Sequence, residues 1–293
     1  MYCSVTEVRN TLGVSDTDII SDAVIEQAIE FAEDEIDRLT YTTYYPNIDS
    51  GSVTSATSTT LTDTSKTGAT AWVEDEYIGY AIYIYSGTGK GQIREITANT
   101  TNSVTVATWT TTPDTTSKYI ITYLNKQTVT IDGSGGYEIL LRDYPIVQVD
   151  KIEIEGTEID ADDYVIYNNT GKIVLKDTSA VAYFTKPIQN TYRKQVEITY
   201  HWGVLPEFKR NKIDINRVIK RATCLIASLQ ALAYQMGGTY DDASTWSLPE
   251  MSLSIGQAYQ NIKSGPVDAL TKELEQFKKE YLGKYVYMAW AIG

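Results

Sequence analysis

Histidine, cysteine, phenylalanine and positive charge are all scarce in this chain of 293 residues. The single histidine, His201, means that no multi-histidine metal site can be built within one chain. It stands at a strand end beside Trp202 and Gly203, with no acid or thiol near it in sequence, so a structural role is expected. The two cysteines, Cys3 and Cys224, sit far apart without metal-ligand spacing and read as free thiols in a reducing compartment. Lys and Arg number 25 against 38 Asp and Glu, giving a formal net charge of −13. That balance argues against a broad grip on nucleic acid, which needs clustered cations over the phosphates. No apolar run reaches the roughly 18 residues of a membrane span. Glu7 and Arg9 interrupt any apolar leader, so a soluble protein made in a cytoplasm is expected.

What the chain has instead is helical sequence at both ends and strand sequence between them. Ser4 followed by Glu7 is a capping box, in which each side chain satisfies an orphan backbone donor, and it predicts a helix over residues 5–12 that Gly13 stops. Apolar residues then recur at Val24, Ile25, Ala28, Ile29, Ala32, Ile36 and Leu39, the spacing of one helix face, with Glu26, Glu30, Glu33, Asp34 and Asp37 on the other. Far along the chain Ile215, Val218, Ile219, Ala222, Leu225, Ile226, Leu229 and Leu232 mark a second long helix, which Gly237 and Gly238 end. Charge is segregated between the two. The first fifty residues carry Arg9 and Arg38 against eleven acids, whereas residues 209–221 hold six basic residues and only Asp214. Such faces serve either as solvated surface or for docking between subunits. The candidate subunit contacts are Glu26, Glu30, Glu33 and Asp37 on the acidic helix, and Arg210, Arg217, Lys220 and Arg221 on the basic one.

Between the helices the pattern has period two. Tyrosine is abundant, 23 against 4 Phe, and Thr and Ser crowd residues 50–122, a composition suited to pleated, half-wet surfaces. Strands are predicted at 59–61, 81–85, 92–97, 103–107 and 119–123, five in about 70 residues. A second series follows at 127–131, 137–141, 147–155, 164–167, 172–175 and 195–202. Gly133-Ser-Gly-Gly136 and Asn168-Asn-Thr-Gly171 supply turns that need positive φ.

Candidate chemistry is sparse. Gly87-Thr-Gly-Lys-Gly-Gln92 has the composition of a phosphate loop, but it lacks the Gly-x-x-x-x-Gly-Lys-[Ser/Thr] spacing and runs on into strand pattern, so a hairpin turn is expected. The carboxylates at Asp160, Asp162 and Asp163, and at Asp241 and Asp242, match no Ca²⁺ or Mg²⁺ ligand pattern and read as solvated turns. Asn99-Thr-Thr101 and Asn168-Asn-Thr170 match the glycosylation rule without a secretory signal to give it meaning. No catalytic residue, no metal and no cofactor is expected.

Residues 239–265 form a polar stretch whose only pattern is the alternation Met251, Leu253, Ile255. Pro266 opens a last helix with Val267, Leu270, Leu274, Phe277 and Tyr281 on one face. The final residues, Tyr285, Val286, Tyr287, Met288, Trp290 and Ile292 among them, are apolar enough to need a cover. They either pack on their own subunit or dock on a partner, where adding a strand to a sheet edge suits so short a piece.

Three pieces in order resemble the head-to-tail connector, or adaptor, proteins of tailed viruses. Val5-Thr-Glu-Val-Arg-Asn-Thr-Leu-Gly-Val14, with the acidic helix ending Ile36-Asp-Arg-Leu39, is similar to their opening helices. Leu141-Arg-Asp-Tyr-Pro-Ile-Val-Gln-Val149, Asp163-Tyr-Val-Ile-Tyr167 and Gly171-Lys-Ile-Val-Leu175 are similar to their central strands, and Val196-Glu-Ile-Thr-Tyr-His-Trp-Gly203 to their return into the helical core. Residues 52–124 depart from the compact adaptors and look like a small β-module that recurs in tailed-virus structural proteins. The expected fold is therefore α+β: a helical bundle of N- and C-terminal helices interrupted by two β-domains, each a small barrel or sandwich. Residues 1–50 and 206–293 form the helical connector core, 51–125 the inserted β-domain and 126–205 a sandwich-like domain.

The resemblance implies a structural virion protein. It would form a homo-oligomeric ring of twelve subunits under the portal protein, in the neck at the head-tail interface, assembled in the host cytoplasm. The ring would carry a neck or tail-completion protein below it, touch no membrane, and leave a channel through which DNA passes without specific binding. Its C-terminus, with Tyr285, Val286, Tyr287, Met288, Trp290 and Ile292, would dock on the portal. Two alternatives stand beside this: another neck or tail-completion protein, and a carbohydrate-binding or adhesion module that would need Trp72 and Trp109 exposed on one face.

Overall fold

The computed structural model describes residues 1–14, 17, 20–132, 137–176, 196–209, 212–235, 246–248, 251–253, 266–277 and 279. Two compact units divide the chain: a helical unit made from both ends, Met1–Tyr41 with Asp214–Gly293, and a β unit, Thr42–Ile213. The notion of a helical bundle carrying two small β-domains is corrected by the balance of structure, 34% strand against 29% helix. The physical reason lies in how visible each element is. Three long apolar stripes stand out in the sequence, whereas short polar strands such as Asp49–Ser52 and Ser55–Ala56 have no alternation to betray them.

In the helical unit, α1 (Val5–Leu12) starts at the expected capping box: the Ser4 hydroxyl accepts from the Glu7 N–H, and the Glu7 carboxylate accepts from the Ser4 N–H at 2.9 Å. Helix α2 (Asp22–Thr40) buries Ile25, Ala28, Ile29, Ala32 and Ile36, the predicted stripe. Helix α3 (Arg217–Gln235) buries Ile219, Ala222, Leu225 and Ile226 and packs against α1, α2 and α4 (Pro266–Phe277), the last through its Leu270 and Leu274. Each large side chain removed from water this way contributes about 1.5–3 kcal/mol. These helices therefore owe their stability to packing more than to intrinsic propensity.

The β unit begins with an antiparallel seven-stranded sheet in the order β1-β7-β4-β5-β6-β3-β2. Its strands are β1 (Asp49–Ser52), β2 (Ser55–Ala56), β3 (Thr60–Thr62), β4 (Ala81–Ser86), β5 (Ile93–Asn99), β6 (Ser103–Val106) and β7 (Lys118–Thr122). A bulge between Ile96 and Ala98 breaks the β5–β6 register, as bulges do where a sheet bends. One face buries Leu61, Trp72, Ile82, Ile84, Ile96, Val104, Trp109 and Tyr119. Strands β8 (Lys126–Ile131), β10 (Ile146–Ile154), β11 (Thr157–Glu158) and β14 (Val196–Trp202) form a second sheet in the order β11-β10-β14-β8. A third joins β9 (Glu138–Leu140), β12 (Tyr164–Tyr167) and β13 (Lys172–Leu175).

The second and third sheets share a core of Ile139, Ile152, Ile154, Ile173, Ile198 and Tyr200. A smaller cluster, Tyr45, Ala81, Tyr83, Ile93 and Ile120, takes in Val147 and so joins the first sheet to β10. Among the described residues there are two further ribbons, β15 (Glu207–Lys209) with β16 (Lys212–Asp214) and, within the stretch assigned to the helical unit, β17 (Trp246–Leu248) with β18 (Met251–Leu253). Gly133 to Gly136, Asp241, Asp242 and the terminal residues from Tyr285 onward lie outside the described residues.

Candidate functional site

A cleft of about 900 Å³ in the β unit is lined by Arg94 from β5, by Lys126, Gln148, Asp150 and His201 from the second sheet, and by Tyr164 at the start of β12. Antiparallel register builds it. Gln148 stands opposite His201, and His201 opposite Lys126, so three polar side chains cross the sheet in a row. A bulge between Val149 and Lys151 displaces the next step of β10, which carries Asp150.

Asp150 is the centre of this row. His201 Nε2 lies 3.2 Å from Asp150 Oδ2, Lys126 Nζ lies 3.2 Å from the same oxygen, and Gln148 Nε2 donates to Asp150 Oδ1 at 2.5 Å. Burial alone would push the Asp150 carboxyl up, but the hydrogen bond and field of His201, with Gln148 and Lys126 behind them, hold it well below the usual carboxylate range. Gln148 also reaches the first sheet. Its Oε1 accepts from the Ile93 N–H at 3.1 Å and from Arg94 Nη1 at 3.0 Å. The Arg94 guanidinium sits 5.7 Å from the Trp109 ring centroid and donates to Thr110 Oγ1 at 2.9 Å.

The chemistry available to this arrangement is narrow. His201 is 1% exposed, its Nε2 belongs to Asp150, and its Nδ1 is buried without a hydrogen-bond partner among the described residues. The network instead ties β8, β10, β14 and β5 together. Asp150 is the partner of His201 that sequence reasoning missed. It lies 51 residues from His201, and only the strand register brings them together.

The other candidates resolve locally. The glycine-rich segment after β4 is a turn that returns as β5. Asp160 Oδ1 accepts from the Asp162 N–H at 2.9 Å, which caps the short 3-10 turn Ala161–Asp163. Trp72 and Trp109 are 4% and 3% exposed, in the core of the first sheet, so they do not make the exposed aromatic pair that a glycan platform requires.

The charged helix faces divide into engaged and open residues. Glu33 accepts from the Tyr2 N–H, and Asp37 from the Tyr2 hydroxyl at 2.7 Å, so both hold the N-terminal arm. Lys220 pairs with Glu7 at 3.0 Å and Asp214 at 2.8 Å, and Arg221 with Glu273 at 2.8 Å. Glu26, Glu30 and Arg217 are exposed. Arg210, Tyr285, Val286, Tyr287, Met288, Trp290 and Ile292 lie outside the described residues. No helix among the described residues is long and apolar enough to cross a membrane. No protein-family model matches the chain, and no curated protein matches it in sequence.

Proposed function

We propose that this chain is a structural head-to-tail adaptor of a tailed virus, forming a ring of twelve subunits beneath the portal protein and above a neck or tail-completion protein. The observation that carries the reading is the helical unit assembled from the two ends of the chain, Met1–Tyr41 and Asp214–Gly293, with the β unit between them in sequence and Glu26 and Glu30 exposed along α2. In this reading ring neighbours pack through the helical unit. Glu26 and Glu30 then meet a neighbouring subunit, while other acids along the channel repel phosphate and let DNA slide, in keeping with the net charge of −13. Residues 285–293, rich in apolar side chains, dock on the portal in this reading.

Negative-stain microscopy of the purified protein, alone and mixed with its portal, tests the proposal. Rings seated on portals are the expected result; a persistent monomer with no portal affinity overturns it. Deleting residues 285–293 leaves the two units folded and abolishes attachment. A truncated chain that docks normally removes the tail from the proposal.

A further inference from the structure

The chain's two cysteines come together in the helical unit although 220 residues lie between them in sequence. Both are buried, Cys3 at 3% and Cys224 at 5% exposed, and each thiol acts on the other's protonation, which places the two side chains side by side. The surrounding contacts hold this geometry independently. Glu7, four residues after Cys3, pairs with Lys220, four residues before Cys224, at 3.0 Å, an antiparallel match of the two segments that brings Cys3 level with Cys224. On the other side Tyr2 is fixed to Glu33 and Asp37 of α2. The arm carrying Cys3 is thus held from both sides against α3.

We propose that Cys3 and Cys224 are a modification site, a thiol pair that a low-molecular-weight disulfide such as oxidised glutathione closes into an intrachain bridge between the N-terminal arm and α3. The neighbouring Cys3, outweighing burial, lowers the Cys224 thiol below its ordinary value, with Lys220 and Arg221 adding to the effect; Cys3 is pushed the other way by Cys224 and by burial. Cys224 is therefore the attacking sulfur. Its thiolate displaces one glutathione thiolate from the reagent and forms a mixed disulfide; Cys3, losing its proton, attacks the Cys224 sulfur and displaces the second glutathione thiolate. Two protein thiols give up two protons and two electrons, and one glutathione disulfide becomes two thiols. Because both sulfurs are buried, entry requires local opening of the arm, and the reaction is slow. The bridge constrains a loop of more than two hundred residues in the unfolded chain, which favours the folded state.

The test uses the full chain incubated with oxidised glutathione and requires neither ring nor portal, so its outcome is independent of the adaptor reading. The expected product is lighter by two hydrogens. After trypsin it gives a peptide containing Cys3 linked to one containing Cys224, and dithiothreitol separates them. Its melting temperature lies several degrees above that of the reduced chain, a shift absent in Cys3→Ser and in Cys224→Ser. Two thiols still open to alkylation after unfolding, a stable glutathione adduct, or bridges formed only between chains would each overturn the proposal.

Discussion

The Tyr119 hydroxyl donates to Asp63 Oδ2 at 2.8 Å inside the first sheet, and no side chain could replace Gly51 beside them. A Cβ on Gly51 would lie 2.2 Å from that carboxylate oxygen and 2.6 Å from the hydroxyl. Asp63 also accepts from the Ser65 hydroxyl at 2.6 Å. Burial would raise the carboxyl, but the bonds from Ser65 and Tyr119 outweigh it and leave it below its ordinary value. Tyr119→Phe should therefore destabilise the β unit by about 1–3 kcal/mol, the usual cost of a buried acceptor losing its donor. Gly51→Ala should cost about 1–3 kcal/mol by overpacking. Urea unfolding measures both, and a midpoint unchanged in either variant contradicts the argument.

Asp150 gives a pH dependence of definite sign. Its folded-state value lies below the unfolded one, about 3.9, so its stabilising contribution is complete above that value and is lost as pH falls through the folded value. Wild type should lose unfolding free energy below about pH 4, and Asp150→Asn should lose less over the same interval. At pH 7 the variant should be weaker by about 1–3 kcal/mol, because Lys126 and His201 lose a charged acceptor. Equal acid slopes in the two proteins would remove Asp150 from the account.

Gly87 separates a turn from a phosphate loop. Its φ is +81°, and a Cβ there would meet the Thr116 carbonyl oxygen at 2.2 Å, a backbone atom that cannot swing aside. Gly87→Ala should destabilise by more than about 1 kcal/mol. Lys90→Ala, at an exposed position in the same turn, should stay within about 0.5 kcal/mol of wild type. Thermal melting distinguishes the pair; a Lys90 variant as damaged as the Gly87 one would show that the lysine is used.

Local signals in this sequence are faithful, and long-range ones are silent. The Ser4 and Glu7 capping box forms, and Ile25, Ala28, Ile29, Ala32 and Ile36 are buried together, because a 3.6-residue period needs only neighbours to be read. The strand at 172–175 is legible for the same reason. By contrast Asp49–Ser52 and Ser55–Ala56 become strands only because β7 and β3 offer them backbone partners, and DSGS and SA announce nothing. The Asp150–His201 pair and the two thiols depend on strand register and helix packing between distant segments. The buried state of Trp72 and Trp109 depends on which sheet face is covered, which alternation alone leaves open. The overweighted helical bundle has the same origin, since apolar helix stripes are conspicuous and polar strands are not.

The acidic helix itself separates intrachain from intersubunit roles. Glu33 and Asp37 hold Tyr2, whereas Glu26 and Glu30 are exposed on the same helix. Charge reversal at the exposed pair, Glu26→Lys with Glu30→Lys, should leave the isolated chain within about 0.5 kcal/mol of wild type, as expected of surface positions away from caps and cores. In a ring the same change places cations where a neighbour's basic face is to dock. Sedimentation should then show smaller assemblies, and the difference from wild type should shrink as salt screens the charges. Arg217→Glu, reversing an exposed position on α3, should restore assembly in the doubly reversed chain if these faces meet. Asp37→Asn should do the opposite, weakening the monomer through Tyr2 while leaving the open face intact. Reversed and wild-type chains with identical sedimentation would show that α2 does not face a neighbour, whatever else holds a ring together.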